Sequence, residues 1–294
     1  MSRRRRGHSR SFTRDSVSLI FGFFLSLALL GIMVITVIRL GVMTWGGFTY
    51  IVDDEYYELT LKYIEEETNH YTTPTGIDPS VLDGVFDVEE VKQQASSVIA
   101  GALDGSGYKP NTKAVRDRLT KNVQKLFTSD NVKLEEGNTA YKIVDGYVND
   151  IMAIYDDAIV MPGLDAVVQI RDVYGSYYPV ALVCLVALAA LMLILILRLH
   201  HFAHRAMRYV AYATGGAALM GFVVPCILYF SGFYKGLNLR PEFFYHFGVS
   251  LVQHVLRLCM VGSAALLLIM FIEIFAIGRM RGKAMHNGRL RHAS

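Results

Sequence analysis

Residues 17–38 read VSLIFGFFLSLALLGIMVITVI, 22 positions without a charge. A helix rises 1.5 Å per residue, so about 20 apolar residues cross the roughly 30 Å of hydrocarbon in a bilayer. Two further stretches meet that length: Tyr178–Leu197 with 20 uncharged residues and Tyr209–Tyr234 with 26. A fourth, Phe243–Ile277, carries only Arg257 and Glu273, and its 35 residues exceed one span. We read Leu258–Ile277 as its membrane core, with a helical extension before it. The chain is 53% hydrophobic with a mean hydropathy of +0.34, above the apolar share of ordinary soluble domains. The predicted fold class is an all-α integral membrane protein: four transmembrane helices, with an extracytoplasmic helical domain between helices 1 and 2.

Charge orients the spans. Residues 41–177 hold 23 Asp/Glu against 11 Lys/Arg, a net of −12, which leaves +15 for the rest of a chain of net +3. The positive charge clusters beside the apolar runs. Arg3, Arg4, Arg5, Arg6 and Arg10 precede the first, and Arg198, Arg205 and Arg208 lie between the second and third. Arg279, Arg281, Lys283, Arg289 and Arg291 come after the fourth. Basic short loops stay cytoplasmic, which puts both termini inside. The expected organisation is a basic cytoplasmic tail at 1–15, a first span at 16–40, the extracytoplasmic domain at 41–177 and a second span at 178–198. Next come a cytoplasmic turn at 199–208, a third span at 209–234 and an extracytoplasmic loop at 235–246. A fourth span with its outer extension at 247–278 and a basic cytoplasmic tail at 279–294 complete the chain. Aromatic residues mark the outer ends: Trp45, Phe48 and Tyr50; Tyr174, Tyr177 and Tyr178; Phe230, Phe233 and Tyr234; Phe243, Phe244 and Tyr245. Amphipathic rings favour that interface. The first apolar run exceeds the roughly 7–15 residues of a signal-peptide core, and Gly41–Phe48 offers no small-x-small cleavage site, so it reads as an anchor.

Cys184, Cys226 and Cys259 all fall in apolar runs, so the exterior domain is expected to fold without disulfides. None of Asn69, Asn111, Asn122, Asn131, Asn138 and Asn149 begins an Asn-x-Ser/Thr acceptor. A large exposed domain lacking both features points to a bacterial cell membrane. Helical periodicity runs through that domain. Asp53–Asn69 is charged and helix-prone, and Pro74, Gly76 and Pro79 break the chain after it. Asp87 with Glu90 three positions on forms a capping pattern before the stripe Val91, Ala95, Val98, Ile99. Val115, Leu119, Val123 and Leu126 form a second stripe. Tyr141, Val144, Val148, Ile151 and Tyr155 form a third, in a helix from Thr139 to Ile159. These stripes read as core.

Four features invite a chemical reading. Ser250, Gln253, His254 and Arg257 recur at i, i+3, i+4, i+7 and share one helical face. Functionally they would line a hydrated vestibule or an anion or headgroup site; structurally they are the polar side of the outer extension, paired with acids such as Glu242 or Asp172. Glu273 is a ligand or relay candidate, since an intramembrane carboxylate costs about 2.5–3.5 kcal/mol; its structural alternative is pairing with Arg198, Arg205, Arg208 or Arg279. His200-His201-Phe202-Ala203-His204 resembles one histidine box of membrane desaturases, but no second cluster supplies the remaining di-iron ligands, and it reads as an interfacial turn. Ala213, Ala217 and Gly221 are small residues four apart, and Pro225 one turn later frees the carbonyl of Gly221. They read as a helix-packing seam, with a hinge as the alternative.

No nucleophile elbow, zinc-protease motif or phosphate-binding lysine loop occurs, and no aspartate lies within a span. Asp53-Asp54-Glu55 and Glu65-Glu66-Glu67 lack the alternating spacing of a calcium loop. We therefore expect no catalytic residue, metal or cofactor. The N-terminal arginines touch anionic headgroups at about 1 kcal/mol each and do not bind nucleic acid. Expected partners are membrane lipids, a protein at the exterior domain and, optionally, further copies of the chain. Tails of about 15 residues hold no ATPase or kinase domain. In span order the chain resembles the FtsX family of transporter-type permeases: cytoplasmic termini, a large exterior domain after span one, and a short exterior loop after span three. That resemblance covers topology alone and assigns no residue; it implies work with a cytoplasmic ATPase that signals to exterior partners. The leading expectation is a non-enzymatic membrane protein that binds a partner or ligand through its acidic domain. A permease-like subunit or transporter is the alternative, and an enzyme acting on lipid or cell-wall substrate is a third.

Overall fold

The structure, a computed structural model, describes residues 3–107, 109–129, 139–161, 163–200 and 202–291, with side chains from residue 14 to residue 280 of these. Pro162, His201, Asn131, Asn138 and the basic side chains before residue 14 and after residue 280 lie outside that set. All regular structure among the described residues is helical: α1 (Arg3–Gly41), α2 (Trp45–Phe48), α3 (Asp54–Thr72), α4 (Val88–Asp104), α5 (Lys113–Ser129), α6 (Thr139–Ile159), α7 (Leu164–Leu199), α8 (Ala203–Ser231) and α9 (Glu242–Arg291), with short 3₁₀ turns between some of them. Among the described residues four helices, α1, α7, α8 and α9, are long and apolar enough to cross a membrane. The chain divides into two compact units. Of the described residues, those within 1–42, 174–233 and 253–294 form a helical bundle, and those within 43–173 and 234–252 form an acidic domain.

In the bundle, neighbouring residues fix the direction of each helix. A Cβ at Gly22 would meet the Tyr209 carbonyl, one at Gly216 the Ser26 hydroxyl, and one at Gly221 Leu30 and Met33. Rising numbers on both sides make α1 and α8 parallel. On α7, Leu185 faces Gly31 and Arg39 lies over the Tyr178 ring at 5.7 Å; on α9, Leu258 faces Gly41 and Met33 faces Gly262. Both therefore run antiparallel to α1, which is the hub of an up-down bundle.

Small residues allow these approaches. Ala206, Ala213, Ala217 and Ala218 are buried on α8. A Cβ at Gly221 would lie 2.5 Å from Ser263 Oγ and 2.8 Å from Met33 Cε, and one at Gly41 would lie 2.1 Å from Leu258 Cδ1. No side chain fits at either position unless a neighbour moves. Two hydroxyls inside the bundle bond to the preceding turn: Thr36 to the Ile32 carbonyl (2.7 Å) and Ser263 to the Cys259 carbonyl (2.8 Å). Of the apolar window in α8, 39% is buried, against 6% in α9, so α8 turns far more of its surface inward.

The acidic domain obeys the opposite pattern. Tyr56 and Ile64 on α3, Val91 and Ile99 on α4, Leu119 on α5, and Ile151 and Tyr155 on α6 have no exposed surface. They join one core with Phe48, Ile51, Met161, Phe243 and Phe247. Asp87, the cap read from the sequence, accepts the Glu90 amide (3.3 Å), and Asp53 caps α3 in the same way by accepting the Tyr56 amide (3.1 Å). Such caps contribute about 1 kcal/mol each. Gln94, almost fully buried, reads the backbone of the loop after α4. Its Nε2 donates to the Asn111 carbonyl (3.0 Å), and its Oε1 accepts the Asn111 amide (2.8 Å). Both polar ends are thus satisfied, which removes the penalty of burying an amide.

Candidate functional site

A groove of the acidic domain forms where α3 runs beside the first turns of α9. Aromatic packing sets this register. Phe243, buried on α9, meets Tyr56 edge-on at 5.8 Å and Tyr63 at 5.3 Å, and Phe247 meets Phe48 at 5.7 Å. Phe243 and Phe247 are one turn apart and share the buried face of α9; Glu242 and His246 flank that face beside α3, and Tyr245 lies further round. Burial pushes the Tyr57 phenol up to about 12, helped by Asp54 and Asp53, so it stays a neutral donor at physiological pH.

Along this seam lies a groove of about 690 Å³ lined by Lys62, Tyr63, Glu66, Glu67, Arg240, Glu242 and Tyr245, with Leu59, Leu239 and Pro241 supplying apolar wall. Lys62 donates to Glu242 at 3.2 Å and lies 4.0 Å from Glu66. Hydrogen bonding to Glu242 and its charge raise the ammonium above its ordinary range, but the pair is exposed and solvent-screened, so it organises the groove more than it stabilises the fold. The loop that closes the groove contains the cis Arg240–Pro241 bond.

At the other end of the same seam, Asp53, Glu55 and His246 converge. Asp53 Oδ1 is 2.9 Å from His246 Nε2, and Glu55 Oε1 is 3.8 Å from Nδ1. Ser250 is 3.5 Å from His246 Nε2. Spacing along the chain does not join His246 to the acids at 53–55, because 193 positions separate it from Asp53. The usable signal is the spacing of Phe243 and Phe247, which fixes the buried face of α9 and hence the side on which His246 stands.

The other residues of the predicted polar stripe lie in the bundle. Arg257 Nη2 donates to the Tyr229 hydroxyl at 3.1 Å, its guanidinium lies 5.6 Å from that ring's centre, and Gln253 Oε1 is 3.5 Å away. The acids expected to pair with it are engaged elsewhere: Glu242 with Lys62 and Asp172 with Arg171. His254 packs beside Gly41, whose added Cβ would stand 3.5 Å from its Nε2. The structure thus assigns Ser250 to one unit and Gln253, His254 and Arg257 to the other.

Glu273 is half-buried and accepts from Thr214 at 3.3 Å through Oε1. Thr214 shares that proton with the Val210 carbonyl at 3.1 Å. Its partner is a hydroxyl where an arginine was expected, because the antiparallel register of α8 and α9 brings Glu273 to Thr214. Arg279 instead stacks at 5.7 Å over Phe275, and Arg205 at 5.7 Å over Phe202. Ala213, Ala217, Gly221 and Pro225 all lie on the buried face of α8.

The histidine run splits. His200 is buried, with its ring stacked on Tyr209 at 5.0 Å and Nε2 3.0 Å from Ser18 Oγ. His204 lies 5.7 Å from the Phe202 ring. The chain matches no known family model, no curated protein and no solved structure.

Proposed function

We propose that the chain is a multi-pass membrane protein that holds its acidic domain on the side opposite its termini, where the domain binds a protein partner bearing basic and aromatic side chains. The reading rests first on what the bundle turns outward. Phe271, Ile272 and Phe275 on α9 are 60%, 68% and 67% exposed, and Val180, Val183 and Ile194 on α7 are exposed too. A soluble monomer rarely keeps apolar patches beyond a few hundred Å² in water; lipid covers such a surface at no cost. The arginines flanking the apolar helices support the orientation. The groove beside Tyr63 and Tyr245, lined also by Glu66 and Glu67, supports the partner's chemistry, since aromatic anchors carry much of an interface's energy and acidic side chains favour a basic partner.

Two measurements test this reading. With Cys184, Cys226 and Cys259 replaced by Ser, cysteines at Ser9 and at Ser97 are probed on intact cells with a membrane-impermeant thiol reagent. Labelling of Ser97→Cys alone is expected; labelling of Ser9→Cys overturns the orientation. Photocrosslinking amino acids at Tyr63 and Tyr245 should capture one discrete protein, whereas the same probe at Tyr50, outside the groove, should not. Equal capture from both places removes the groove from the proposal.

Glu273 against Thr214 favours a second reading, a permease-like subunit in which the bundle relays a proton or cation. Under it, Glu273→Gln leaves protein levels normal and reproduces the deletion phenotype. Under the partner-binding reading, growth is unchanged.

A further inference from the structure

We propose that Asp53, Glu55 and His246 bind one divalent transition-metal ion of the zinc or manganese class, a site separate from the groove and independent of the partner it takes. One ligand atom from each residue can be chosen so that all lie within 4.8 Å of one another. An ion with bonds of about 2.0–2.2 Å holds neighbouring ligand atoms roughly 3–3.5 Å apart. Rotation of the Glu55 side chain closes that difference, because it is an exposed carboxylate 3.8 Å from the His246 ring, while Asp53 already stands 2.9 Å from it.

The ligand set selects the ion. One imidazole with two carboxylates suits Zn²⁺, Mn²⁺ or Fe²⁺, whereas Ca²⁺ and Mg²⁺ take oxygen ligands throughout. The scaffold is built in advance. Asp53 is held at the start of α3 by the Tyr56 amide on Oδ1, which leaves Oδ2 for an ion. His246 is held by the anchoring of Phe243 and Phe247 in the core on either side of it, and its side chain is only 18% exposed. Ser250, one turn on, stands beside the imidazole to orient it. Asp53 and Glu55 are 49% and 68% exposed, so the ion enters directly from solvent and keeps water in its remaining positions. Without an ion, the bond between Asp53 and His246 keeps the ligands together. With one, the first turns of α3 and α9 are clamped across the 193 positions that separate Asp53 from His246.

Zinc titration of the metal-stripped full chain in micelles, against a competing chromophoric chelator, tests the site. The wild type should bind one Zn²⁺ at micromolar affinity or tighter, and Zn²⁺ should raise its melting temperature. Glu55→Gln and His246→Gln should each weaken binding by about tenfold or more and abolish the thermal shift. His200→Gln with His204→Gln should leave both readouts unchanged. Glu55 is exposed on the first turn of α3, so Glu55→Gln keeps the fold and decides the question if His246→Gln does not. Wild-type zinc affinity in Glu55→Gln, binding weaker than millimolar in the wild type, or loss of the ion only in the double histidine variant would each overturn the proposal.

Discussion

Ile151 on α6 has no exposed surface, whereas Ile272 on α9 is 68% exposed. Both are isoleucines in the middle of long helices. The contrast extends through the two units they belong to. The acidic domain buries its large side chains, Tyr56, Tyr155, Ile64 and Ile99 among them, and shows carboxylates to solvent. The bundle buries Ala206, Ala213, Ala217, Ala218, Ser18 and Ser263 and turns Phe and Ile outward. In water, removing apolar area from solvent drives folding at about 25 cal/mol per Å², and large residues contribute most from inside. In lipid that term vanishes between helices, and close backbone approach over small residues takes its place. Under the membrane reading proposed above, one chain carries two folding rules, divided at residues 42/43, 173/174, 233/234 and 252/253.

The largest effect that would break this comparison comes from emptying the core. Ile151→Ala should cost the acidic domain about 2–5 kcal/mol, seen as faster hydrogen exchange along α6 in the full chain. Ile272→Ala should leave the bundle's exchange unchanged, because its side chain is not enclosed by protein. Similar losses from both would mean that the outward face of α9 is covered by a partner helix.

Filling gives the converse. Ala217→Leu puts three extra carbons where no surface is exposed, and overpacking of that kind costs about 1–3 kcal/mol. Leu219 is 56% exposed on the same helix, so Leu219→Ala should leave the detergent melting temperature nearly untouched. If Leu219→Ala is the more damaging, the seam lies on the other side of α8.

These two rules explain which features a single sequence makes legible. Helix α6 spans Thr139–Ile159, the limits read from its stripe, because apolar periodicity and polar intervals are local. The small-residue spacing of Ala213, Ala217 and Gly221 is local too, and the three share the buried face of α8. Pairing was not legible. Glu273 meets Thr214 and Arg257 meets Tyr229, and both depend on the register between antiparallel helices, which a single sequence does not encode by charge. His246 beside Asp53 and Glu55 escaped for the same reason: the three converge only after α3 and α9 have been packed by their aromatic faces.

The smallest effect probes how the bundle handles a titratable group at the end of α7. Ser18 spends its hydroxyl proton on the Arg14 carbonyl at 2.9 Å, so its oxygen accepts from His200 Nε2–H at 3.0 Å. This network assigns the neutral ring's tautomer and leaves Nδ1 buried without a partner. Burial, then the Arg14 charge, lowers the His200 pKa, with Asp15 opposing them. The folded chain thus holds a neutral imidazole, while the unfolded chain protonates near the ordinary value of about 6.5. Between those two values the unfolded state binds more protons, so stability rises with pH there. Full stability is expected above about pH 6.5, with a loss as pH falls through the folded value. The bundle's melting temperature should therefore drop on acidification, and His200→Gln, which retains a donor for Ser18 and cannot protonate, should drop less. A wild-type bundle that gains stability on acidification would show that Asp15 holds His200 as the imidazolium.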